Sequence, residues 1–145
     1  MPLSPLEQLA RDRALAGIDA APQPVVFAAE LARQIVLETL AASKPKISAE
    51  ETVRHCCHGV LTALLLKDKP LHLAAVEMLD RLAHASQDLH VDPTEMMTWT
   101  LSGIALLSAS ASPQAMHAIQ EAIGAKFMGA GEVFRELCRQ SSAGR

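Results

Sequence analysis

The sequence predicts an all-α fold, a single antiparallel bundle of six to seven helices. Three observations carry this. Capping signatures recur along the chain, apolar residues return every three or four positions, and no run of β-branched or aromatic residues alternates at period two. The 145 residues are half hydrophobic, yet aromatics are limited to Phe27, Phe127, Phe134 and Trp99. A core of Ala, Leu, Val, Ile and Met suits close helix packing. A chain of this length buries roughly 68–70% of its unfolded surface as one domain.

Ser4-Pro5-Leu6-Glu7 places a hydroxyl three residues before a carboxylate, the capping box that satisfies orphan amides reciprocally, and starts a helix near Pro5 to Ala16. Pro24 opens the second, to Ala42, with Ala28, Leu31, Ala32, Ile35 and Val36 on its apolar stripe. Ser48-Ala49-Glu50-Glu51 caps the third, Ala49 to Leu66. Asp68 before Pro70 introduces the fourth, Lys69 to Leu89, and Asp92-Pro93-Thr94-Glu95 the fifth, Pro93 to Ala109. The fifth carries no charge after Glu95 and is expected to be central. Ser112-Pro113 starts the sixth, to Met128, and Gly129-Ala130-Gly131 breaks the chain before a seventh from Glu132 to Gln140. Residues 1–4 and 141–145 are expected to fray. Short connections should make successive helices neighbours. No internal repeat, low-complexity linker or second domain stands out.

Thirteen Lys and Arg against sixteen Asp and Glu leave a net charge of -3 with no basic run. Nucleic-acid binding, which needs clustered cations and stacking aromatics, is not expected. Nor is a membrane: the uncharged stretch from Met96 to Gln120 is interrupted by Ser, Thr, His117 and Pro113. The opening residues lack the basic and apolar regions of a secretory signal. Three cysteines, Cys56, Cys57 and Cys138, draw no disulfide framework. A cytoplasmic protein without a cofactor is the expectation.

Arg54-His55-Cys56-Cys57-His58-Gly59-Val60-Leu61 is the one stretch that suggests chemistry. Four adjacent ligands cannot converge on one ion, because each residue of a helix turns about 100° from the last. With Val53 at zero, Cys57, Val60 and Leu64 fall within about 40° and Cys56 near 300°, so both thiols belong to the core. His58, Glu51, Thr62 and His55 fall between about 140° and 200°, on a polar face expected to meet solvent. His55 and His58, with Glu51 one turn before His55, form a candidate metal site; Asp80 and His84 on the next helix lie at similar heights, but both sets face away from the apolar stripes that should face each other. The bland alternative is an ordinary polar face, with Glu51 reaching back to the Ser48 amide.

His55 with His58 three residues later and Gly59 four later is similar to the pattern of histidine phosphotransfer domains. There an exposed helical His is followed by Lys and Gly, and the Gly lets a receiver domain approach. The resemblance implies His55 as phosphoryl acceptor, although His58 stands where the family has Lys.

Met96, Met97 and Trp99 offer a third possibility, an apolar pocket for a small molecule, weighed against plain core. Leu37, Leu65 and Leu73 stand on otherwise polar faces and would mark an interface if gathered into one patch. With no nucleophile elbow and no phosphate loop, the sequence favours a non-enzymatic interaction module, working as a homodimer.

Overall fold

The structure is a computed structural model, described for residues 3–41 and 47–143, the side chains of 142 and 143 excepted. Among the described residues there are seven α-helices and no strand: α1 Pro5–Ile18, α2 Pro24–Ala41, α3 Ala49–Leu66, α4 Leu71–Leu89, α5 Pro93–Ala105, α6 Pro113–Lys126 and α7 Ala130–Ala143. The all-α bundle is as the periodicity requires. No helix of the described residues is long and apolar enough to cross a membrane.

The caps explain the boundaries. At Ser4 the box closes on both sides: the hydroxyl accepts from the Glu7 N–H at 3.2 Å, and the Ser4 N–H donates to Glu7 Oε1 at 2.7 Å. Ser4 is therefore tied rather than frayed. At Ser48 the hydroxyl accepts from the Glu51 N–H at 3.2 Å, and at Asp92 the carboxylate accepts from the Thr94 N–H at 2.8 Å. Helix α4 starts two residues later than expected. Asp68 takes a left-handed φ of 55° as the chain leaves α3, and Pro70, which carries no capping side chain, precedes the first turn. Helix α5 tightens into a 3₁₀ turn over Leu106–Ala109. In the glycine segment only Gly129, with φ 82°, makes the turn. Gly131 is already helical and lets α7 approach α6: a Cβ there would meet the Gly124 Cα at 3.2 Å. Starting at Ala130, α7 continues through residue 143, past the expected end at Gln140; residues 1, 2, 42–46, 144 and 145 lie outside the described residues.

The packing order differs from the expected chain of sequential neighbours. The most extensive contacts join alternate helices, α1 to α3, α2 to α4 and α3 to α5, while α1 to α2 and α3 to α4 touch less. Two layers result, α1, α3, α5 and α7 in one and α2, α4 and α6 in the other, with α2 on α3, α4 on α5 and α6 on α7 bridging them. Successive helix pairs thus make the same set of contacts, the arrangement of stacked helical hairpins. The period is visible in retrospect. Capping residues Ser4, Ser48 and Asp92 are spaced 44 residues apart, from 4 to 48 and from 48 to 92, and each opens a helix of the first layer.

The central helix is α3, not α5. It packs on α1, α2, α4 and α5. It buries nine residues, Thr52, Val53, Cys56, Cys57, Gly59, Val60, Leu61, Ala63 and Leu64, where α5 buries six. Absence of charge pointed to α5; a helix with a polar face can be buried just as deeply where a neighbour covers that face, as α1 does at His55 and His58. Gly103 of α5 admits this contact, since a Cβ there would sit 2.6 Å from the Arg54 carbonyl oxygen.

Candidate functional site: the histidine face of helix α3

Helix α3 presents its cysteines as the wheel requires. Cys56 and Cys57 are fully buried, and the Cys56 thiol donates to the Ala32 carbonyl of α2 at 3.4 Å. Burial drives the Cys57 thiol up to about 12 and raises Cys56 well above the ordinary value, so neither is a nucleophile at neutral pH.

The opposite face is largely covered, its residues only partly exposed. Helix α1 lies along it, running parallel to α3, so that Ser4 meets His55, Glu7 meets His58 and Asp19 meets Lys67 in ascending order. Ser4 and Glu7 are three residues apart, as are His55 and His58, and parallel helices match the two pairs one to one. The Ser4 hydroxyl bonds His55 Nδ1 at 3.0 Å. The Glu7 carboxylate bonds His58 Nδ1, and the two side chains are only 10% and 13% exposed. At the far end Lys67 Nζ donates to Asp19 at 2.9 Å.

Burial would raise the Glu7 carboxyl, but the Ser4 backbone hydrogen bond and the hydrogen bond and charge of His58 outweigh it and hold it below its ordinary 4.5. One Glu7 oxygen closes the cap of its own helix while the other grips α3. The carboxylate is fully engaged.

Gly59 completes the contact. A Cβ at this position would sit 2.4 Å from the Glu7 carbonyl oxygen and 2.9 Å from Ala10 Cβ, so only glycine lets the backbones come this close. The glycine that suggested room for a receiver domain is the place where α1 already lies. His55 and His58 are therefore not the exposed pair that the phosphotransfer resemblance implies: both are partly buried, with Nδ1 occupied by a residue of α1.

The proposed metal set fares similarly. Glu51 is half-buried at the start of α3, and among the described residues no three His, Cys, Asp or Glu side chains are arranged to hold a metal ion. His84 lies 76% exposed on α4, with Nδ1 2.8 Å from the carbonyl oxygen of Asp80 on its own helix. It does not join His55 or His58.

No family model, curated protein or solved structure matches the chain. Its surfaces must speak for themselves. Met96 is fully buried, and Met97 and Trp99 pack against the core. They do not line the grooves beside Phe27, Met128 or His72. Of the leucines on polar faces, Leu73 is half exposed, Leu37 is half-buried, and Leu65 packs against the core at the edge of a 310 Å³ cavity near His72.

A different apolar surface was missed by the sequence reading. The end of α1, the connection to α2 and the outer side of α2 enclose an open groove of about 620 Å³, walled by Ala20, Ala21, Pro22, Val26, Phe27 and Leu31. Phe27 is drawn against α1 because Gly17 has no Cβ, which would meet the ring at 2.5 Å. An interhelix connection of Ala-Ala-Pro was the available signal, since exposed connections are ordinarily polar.

Proposed function

We propose that the protein is a non-enzymatic helical interaction module that works as a homodimer in the cytoplasm. The observation that carries this reading is the division of its surface groups. The polar side chains most suggestive of chemistry, Ser4, Glu7, His55 and His58, are committed to joining α1 to α3. The apolar groove at the α1–α2 pair has no covering element among the described residues. Val26 within it is 36% exposed, and Leu66, Leu73 and Met128 are more exposed still. A self-complementary patch on a terminal helix pair suits a two-fold dimer, the commonest closed assembly. The cytoplasm suits three cysteines that the fold keeps as free thiols, two of them in its core.

Size-exclusion chromatography with light scattering tests the reading. The wild-type protein should have twice the chain mass across micromolar concentrations, and Val26→Asp should shift it to the monomer without changing its helical circular dichroism. A wild-type monomer throughout that range would remove the proposal.

A further inference from the structure

We propose that the two copies of this homodimer exchange their first helices, so that α1 of each chain lies on α3 of the other. The inference rests on the homodimer reading and names the surface through which the copies hold each other.

Two features of the fold support it. First, α1 is attached where its sequence does not take it directly. Its contact with α3 is the most extensive between any two helices, while its contact with α2, the next helix in the chain, is slight. Its specific ties go chiefly to α3: Ser4 to His55, Glu7 to His58, Asp19 to Lys67, and the close backbone approach at Gly59. Such a set can be supplied equally well by an α1 from another chain. Every one of those contacts, and the Arg13–Glu38 ion pair with α2, is remade in the exchanged form; only the connection changes.

Second, the connection is built to open. It runs from Asp19 to Gln23, and Ala21 and Gln23 each precede a proline. A residue before proline is steered toward extended backbone, which suits an opened connection, and the closed one is held by a single turn hydrogen bond, from the Ala21 N–H to the Ile18 carbonyl at 3.2 Å. Short hinges under such constraint favour exchange of the element they carry. The same connection forms the wall of the apolar groove through Ala20, Ala21 and Pro22. In one chain Ala20 and Pro22 are exposed and Ala21 is half-buried. Two extended hinges crossing at a two-fold axis would cover each other's apolar wall.

The Glu7–His58 pair gives a direct test. In Glu7→Lys a cation faces His58, and in His58→Glu two carboxylates face each other, so each variant alone places an unmatched charge in a buried contact. In an exchanged heterodimer of the two variants, the lysine introduced in one chain meets the glutamate introduced in the other, and the second contact is the native Glu7–His58 pair. The variants are unfolded in urea, mixed in equal amounts, refolded together and weighed by native mass spectrometry, with one chain isotope-labelled. Exchange predicts that the ratio of heterodimer to the two homodimers rises roughly tenfold above its statistical value and that the heterodimer melts close to wild type, above either variant alone. Co-refolding keeps the test valid if either variant cannot fold by itself. A statistical mixture of dimers would overturn the exchange while leaving the homodimer standing. A wild-type monomer by light scattering would remove the homodimer, and the exchange with it.

Discussion

The two faces of α3 are held in different ways. Toward α2 and α5, Cys56, Cys57, Val60 and Leu64 make a fully buried apolar contact. Toward α1, a glycine, two histidines and the cap of the neighbouring helix make a partly polar seam. The apolar face tolerates small changes in shape at modest cost. The polar seam depends on partners, and removing one strands the other in a poorly solvated place.

Breaking the seam at its most buried point should have the largest effect. Glu7→Ala leaves His58 without its carboxylate and Ser4 without the reciprocal half of its cap. The loss of stability in urea unfolding should be about 3–5 kcal/mol. Gly59→Ala pushes a methyl group against backbone that cannot move independently of α1, and about 1–3 kcal/mol should be lost. On the apolar face, Cys57→Ala removes one buried sulfur and should cost about 1 kcal/mol. The smallest effect belongs to His55→Ala, which deletes a single part-buried hydrogen bond to Ser4; about 0.5–1.5 kcal/mol is expected from thermal or urea melts.

The faces should also separate by pH. Because the folded-state value of Glu7 is lowered below 4.5, the folded protein binds fewer protons at this site than the unfolded chain. The stabilisation is fully present above that ordinary value and is lost as pH falls through the lower, folded one. Glu7→Gln should remove this part of the acid dependence. Cys57→Ala should leave it unchanged over the same range.

The fold class, five of the seven helix starts and the burial of both cysteines were legible because they depend on local rules, cap spacing and the 100° turn. What escaped was tertiary. The wheel put His55 and His58 on the correct side of α3, but a polar face reads the same whether water or a polar partner covers it. Glu7 was identified as a capping residue, and nothing in a single helix shows that a carboxylate has a second oxygen free to bind elsewhere. The central place of α3 escaped as well, since the absence of charge after Glu95 pointed to α5. The stacking of alternate helices left one trace, the 44-residue spacing of Ser4, Ser48 and Asp92, a recurrence of capping type rather than of sequence identity. The groove beside Phe27 depends on how α1 ends against α2 at Gly17, a contact with no periodic signature.

The central claim is that the histidine face of α3 is a structural seam made with α1, and a double-mutant cycle between Glu7 and His58 tests it most directly. Glu7→Gln, His58→Gln and the double variant are unfolded in urea at neutral pH. The account predicts a coupling of about 0.5–3 kcal/mol, with the double variant less destabilised than the sum of the single ones. Additivity within about 0.3–0.5 kcal/mol would contradict it.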